Sequence, residues 1–300
     1  MFGKLLKYEW KSNYKLLGLL SVVALFVGFV GGITIRGMFW TDELVTNDFA
    51  YTMAMLGLFS MAVICVVAIG IYATAVSGVN YFRFYKHKFT DEGYLTFTLP
   101  VTAEQVFWSS FLHILIWTCI ASVVCAVSIL VMCSIGIGPW FMEQMRLLIQ
   151  EIGPMPTPNI SMEDWKQLWE ETWDLLVTLV EEGWLQTGAP MYYVMTALQS
   201  VITPIYSIML IMTCITVGSV LVKRMKLLLS IGIYAGFTSV VALLTQISVY
   251  VPTFVAMYDY EHYFYWMSIP MALQLVLQLT VIIGGYFLNI HLMKKKLNLP

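Results

Sequence analysis

Of the 300 residues, 59% are hydrophobic and only 11% are charged, with a mean hydropathy of +0.78. Soluble domains are roughly 45–50% apolar and about 25% charged, so an ordinary soluble globule is excluded. A net charge of −2 gives no reason to expect a nucleic acid partner. Cys65, Cys119, Cys125, Cys133 and Cys214 all sit in apolar stretches without C-x-x-C spacing, which excludes a disulfide-stapled ectodomain.

Six intervals carry no charged residue: 16–35, 49–82, 105–142, 183–222, 227–258 and 262–293. Each reaches the ~20 apolar residues that a helix needs to cross a bilayer. Each is apolar throughout, unlike barrel strands, which alternate between lipid and lumen. The expected fold class is therefore all-α integral membrane, with six transmembrane helices and too little chain between them for a soluble catalytic domain.

Residues 1–15 predict an amphipathic interfacial helix ahead of a six-span domain over 16–300. At 100° per residue Lys4, Lys7, Lys11 and Lys15 share an arc of about 80°, with Phe2, Leu5, Leu6 and Trp10 opposite. Such a helix lies in the membrane plane, its lysines on anionic headgroups and Trp10 at the acyl boundary; the same lysines also fix topology. The apolar run from Leu16 to Ile35 exceeds the 7–15 residues of a secretory signal and reads as a retained first span. It contains Gly28-x-x-x-Gly32, a small-residue spacing that permits close helix approach. Span 2, from Phe49 to Val79, is expected to reach ~45 Å and to protrude from the bilayer.

The segment 81–101, YFRFYKHKFTDEGYLTFTLPV, begins with alternating aromatic and basic residues. It then predicts a short helix capped by Thr90, with Asp91 and Glu92 facing the positive end of its dipole. Leu99-Pro100 ends it, and Thr102 with Gln105 forms a capping box that opens span 3. A short helix between two spans is either a docking element for a partner or a solvated loop. The segment 139–190 predicts an outer helical insertion: two amphipathic stretches divided by the breaker Gly153-Pro154-Met155-Pro156, the second carrying a stripe through Trp165, Trp169, Trp173, Val177 and Val180.

Thirteen of the sixteen basic residues fall before span 1, between spans 2 and 3, between spans 4 and 5, or after span 6. The positive-inside rule makes that side cytoplasmic and puts both termini there. Among the membrane intervals the one deep ionisable group is His113, which reads either as a helix contact or as a proton relay. Gln199, Gln246, Gln274 and Gln278 could bond between helices or line a weakly polar path, which makes them, with His113, the candidate substrate contacts. Pro204 and Pro270 could kink spans 4 and 6. There is no G-x-x-x-x-G-K-[ST] and no H-E-x-x-H, so no enzymatic activity is expected of this chain and any ATP must be hydrolysed by another polypeptide.

The stretch Phe89 to Val101, with KLLKYEW at Lys4 to Trp10 and the six-span layout, resembles the ABC-2-type permease subunits of Gram-positive bacterial ABC exporters. The resemblance implies a multi-pass protein of the bacterial cell membrane that pairs with a second permease, identical or different, contacts membrane lipid, and exports a peptide, drug or lipid. It implies two cytoplasmic ATPase subunits that bind the ATP and Mg, with no cofactor in this chain. It makes the loop after span 2 a coupling helix around Phe89, Thr90, Asp91, Glu92, Tyr94, Leu95 and Phe97, approached through Arg83, Lys86 and Lys88. Lys4, Lys7, Trp10, Lys11 and Lys15 would belong to the family's entrance helix. The alternative is a non-transporting sensor or immunity subunit whose acidic outer segment binds a cationic peptide.

Overall fold

The computed structural model describes residues 2–44, 47–90, 102–152, 166, 170, 173–174, 177–178, 189–222, 225–259 and 262–296. Among these the elements are α1 (Phe2–Leu44), α2 (Asp48–Phe89), α3 (Ala103–Gly136), α4 (Gly138–Ile152), α5 (Ala189–Leu221), α6 (Lys226–Ala256) and α7 (Tyr263–Lys296). All but α4 are long and apolar enough to cross a membrane, which gives the six spans of a multi-pass helical protein. Hydroxyl side chains inside the spans bond back to their own helices: Thr34 donates to the Val30 carbonyl at 2.7 Å and Thr118 to Ile114 at 2.8 Å. A lone hydroxyl thereby avoids burial without a partner.

Two helices run further than the sequence suggests. The interfacial helix expected over 1–15 is continuous with span 1 as α1, because nothing between Lys4 and Leu17 breaks a helix. Its four lysines are exposed, while Leu5, Leu6 and Trp10 are half-buried. Span 2 continues ten residues past Val79, so the aromatic-basic run through Phe89 is the end of α2. The Thr90 hydroxyl donates back to the Lys86 carbonyl at the end of this helix. The capping expected at Thr102 is present, with the Gln105 amide donating to its Oγ1 at 3.4 Å. The short helix expected after Thr90 lies outside the described residues. So does most of 139–190, apart from α4 and the helical positions Lys166, Glu170, Trp173, Asp174, Val177 and Thr178.

The chain divides into two compact units, Met1–Arg83 with Leu112–Pro156 and Phe84–Phe111 with Thr157–Pro300. In the first, Leu17 and Ala24 of α1, Tyr72 and Val76 of α2, and Trp117 and Ala121 of α3 form one buried cluster. Close approach of α1 to α3 depends on glycine. A Cβ at Gly28 would stand 2.6 Å from the Ser128 carbonyl oxygen, and one at Gly136 would stand 2.7 Å from the Ile35 side chain. The Ser128 hydroxyl reaches the Ala24 carbonyl at 3.3 Å across the same contact.

In the second unit α5 packs against both α6 and α7. The partners of α5 and α7 rise together along the chain, from Thr196 with Met271 to Thr213 with Asn289, so the two helices are parallel. Aromatic rings of α3 reinforce α7, with Phe107 and Trp108 lying 6.0 and 5.7 Å from the Tyr286 ring. Pro204, Pro252 and Pro270 lie inside α5, α6 and α7, which continue past them.

Gly28→Leu should separate α1 from α3 and lower stability in detergent by about 1–3 kcal/mol, the usual cost of overpacking. Gly57→Ala, with nothing within 4 Å of its added carbon, is expected to leave the unfolding midpoint unchanged or slightly raised. Thermal unfolding of both variants followed by circular dichroism checks this.

Candidate functional site

The end of α2 gathers the described part of the coupling stretch. Buried positions recur every four residues at Tyr72, Val76, Asn80, Phe84 and Lys88, so buried side chains continue along α2 into the aromatic-basic run. Lys86 is exposed and Arg83 and Thr90 are half-buried, whereas Phe89 is buried with its ring edge-on to Phe84 at 5.8 Å. Of the residues assigned to coupling, Asp91, Glu92, Tyr94, Leu95 and Phe97 lie outside the described residues.

A residue absent from that assignment completes the site. Lys226, at the first position of α6, donates from Nζ to the Phe89 carbonyl at 3.0 Å. The last carbonyls of a helix have no intrahelical donor and carry the negative end of the dipole, so an ammonium group satisfies both needs there. Met225 sets up the approach. It is the one non-glycine residue with positive φ among the described residues, at φ 58° and ψ 35°, a left-handed turn that starts α6. Tyr85, Phe89, Thr90, Met225, Lys226, Leu227 and Leu228 line an open cleft of about 420 Å³. The Met225 side chain stands 76% exposed on its rim. The sequence carried a signal for Lys226 in the basic cluster Lys223, Arg224 and Lys226, but not for its partner.

Two further facts order this end of the second unit. Lys294 of α7 forms an ion pair with Glu104 of α3 at 2.9 Å. Because α5 and α7 are parallel, the end of α7 lies beside the end of α5 and hence near the start of α6. The helix ends bearing Lys86, Lys88, Lys226 and Lys294 are thus at one end of that unit.

The candidate substrate contacts separate into groups. The Gln199 amide nitrogen donates to the Met271 carbonyl at 3.1 Å and to Gln274 Oε1 at 3.3 Å, and Gln278 donates to the Thr203 hydroxyl at 3.2 Å. These three glutamines bond α5 to α7. Gln246 is exposed on α6 apart from them. His113 belongs to the first unit, where it is buried edge-on to Trp10 at 6.3 Å. Among the described residues no group of three His, Cys, Asp or Glu side chains could hold a metal ion.

Outside the spans, the α6–α7 turn holds one perturbed carboxylate. Hydrogen bonds from His262 Nδ1 to Asp259 Oδ1 at 3.0 Å and from Trp266 Nε1 to Oδ2 at 3.2 Å stabilise the ionised form. They hold Asp259 below the ordinary carboxylate value of 3.8, the His262 bond contributing most and the Trp266 bond next. A depressed pKa in the folded state means that this carboxylate favours folding fully above 3.8, and that the contribution disappears as the pH falls through the lower folded value.

Lys226→Met should leave the Phe89 carbonyl without its donor and speed amide exchange of the last turn of α2 about fivefold, the kinetic equivalent of ~1 kcal/mol; hydrogen-exchange mass spectrometry of the detergent-solubilised chain reads this directly. Carboxylate-carbon NMR should place the Asp259 midpoint below 3.8, and His262→Ala should move it upward.

Comparison of the chain with protein-family models, curated proteins and solved structures finds no match.

Proposed function

We propose that this chain is the membrane-spanning permease subunit of an ABC exporter of the bacterial cell membrane, driven by ATP hydrolysis in a separate cytoplasmic ATPase. The observation that supports it best is the end of α2. At 1.5 Å per residue its 42 residues extend ~63 Å, about twice the hydrocarbon thickness of a bilayer. A protein moved by a machine outside the membrane needs a handle joined to a span without a flexible break, and α2 meets that need up to Phe89. Lys226 ties this handle to α6, so a push on the loop after Thr90 would reach two spans together.

The basic end of the second unit is the cytoplasmic one on this reading, and both termini lie there. Export of an amphipathic or cationic peptide, a drug or a lipid accords with the exposed carboxylates Glu170 and Asp174 beside an exposed Trp173 in the outer segment. The three glutamines between α5 and α7 act as helix contacts rather than as cargo ligands, since Gln199 and Gln278 donate through their amide nitrogens and Gln274 accepts through Oε1.

Purification of the tagged chain from its own host in mild detergent should recover a nucleotide-binding subunit. Asp91→Lys combined with Glu92→Lys should weaken that association at least about tenfold, equivalent to ~1.4 kcal/mol, while insertion is unchanged. Recovery of the chain with no ATPase, or identical recovery with the double variant, would count against the assignment or against the docking loop, respectively.

A further inference from the structure

One layer of the first unit has polar side chains where its surroundings are apolar. The register that places them is regular. Ser21 of α1 bonds Tyr72 of α2 at 2.8 Å. One turn toward the start of α1, Leu17 and Val76 share the buried cluster. One turn further, the same antiparallel stepping brings Asn13 opposite Asn80, and the bond from Arg83 to the Asn13 Oδ1 confirms the level. On α3 this level holds His113 and Trp117, both packed on Trp10, whose ring stacks on Trp117 at 5.0 Å.

Asn13, Asn80 and His113 are 6%, 2% and 3% exposed. The Nδ2 of Asn13, both side-chain polar atoms of Asn80, both ring nitrogens of His113 and the indole Nε1 of Trp117 have no hydrogen-bond partner among the described residues. Leaving so many groups unbonded would cost about 1–3 kcal/mol for each, and native proteins do not accumulate such costs in one place.

The chemistry of these atoms limits what can satisfy them. With neutral His113 they comprise four donors (two amide NH2 groups, the indole and one ring N–H) and two acceptors (Asn80 Oδ1 and the second ring nitrogen). An anion would satisfy only the donors and repel the acceptors, and a metal cation would do the reverse. A group that both accepts and donates is required, and the closure of the layer excludes anything large. We propose that Asn13, Asn80, His113 and Trp117 enclose a small cluster of internal water molecules that bridges α1, α2 and α3. A linked pair of waters presents about three acceptor and about three donor positions, close to the set this layer offers. The water stands independently of the transport reading, since it rests on no partner and no cargo.

The test uses the full chain in lipid bilayers, with nitrogen-labelled tryptophan and histidine, and follows magnetisation transfer from water by solid-state NMR. Trp117→Phe and His113→Gln assign the two signals. Water transfer to the Trp117 indole and the His113 ring should build up at least about fivefold faster than to amides in the dry cluster around Ala121, since internal water lies within bonding distance of the former only. Absence of such transfer in the native chain, with solvent-exposed lysine ammonium groups giving normal signals, overturns the proposal. In Asn80→Leu/His113→Leu, which removes four of the six atoms, transfer to the indole should fall by about fivefold or more. Unchanged transfer in a variant that retains the Gln199 and Gln274 side-chain signals overturns it as well. If that variant does not fold, the native measurement decides alone.

Discussion

A bilayer interior offers backbone amides and carbonyls nothing to bond to, and every other feature of this chain follows from that constraint. Each span must close its own hydrogen bonds, so all six are helices and the serine and threonine hydroxyls turn back onto their own carbonyls. Once the backbone is satisfied, apolar side chains gain little by leaving lipid for each other. Cohesion has to come from close backbone approach and from polar atoms between helices. Each unit uses both means: in the first, Gly28 and Gly136 bring α1 onto α3 while the Ser21 and Tyr72 hydroxyls bond, and in the second, Gly285 lets α7 approach Thr213 of α5 while amides and hydroxyls bond along the same pair.

The same constraint explains why helix ends are where the chain does something distinctive. At the end of α2 the final carbonyl takes an ammonium group from another helix instead of water, which converts a loose end into a joint. At the α6–α7 turn an aspartate takes an imidazole and an indole. Both are polar contacts at a boundary, where a charged group keeps access to solvent and still bonds locally.

The six spans were legible in the sequence because absence of charge over twenty residues or more is a strong and specific signal. Where the helices stop was less so. The run from Tyr81 to Phe89 alternates aromatic and basic residues, which suggests a period of two, yet its buried positions Phe84 and Lys88 continue the fourfold spacing set by Tyr72, Val76 and Asn80. A buried lysine is the reason that spacing was hidden, since hydropathy counts it as outside. The glutamines could be read as helix contacts or as path lining, and the structure gives three of them bonds between α5 and α7 and leaves Gln246 exposed. The partner of Lys226 was beyond reach because Phe89 lies 137 positions away, and pattern within a helix says nothing about a neighbour across the bundle.

The pairing of α5 with α7 also sets a problem of timing. Gln199 and Gln274 are separated by 75 residues of chain, as are Thr203 and Gln278. At a synthesis rate of roughly 5–20 residues per second, the polar atoms of α5 are made about 4–15 s before those that will bond them. During that interval a glutamine amide in span 4 must stay in the insertion machinery, borrow a carbonyl of its own helix, or draw water into the bilayer. Biogenesis of this protein therefore includes a stage at which the polar side chains of the fourth span wait for partners in the sixth, and a chaperone or a second copy that offered them a polar surface would act at that stage.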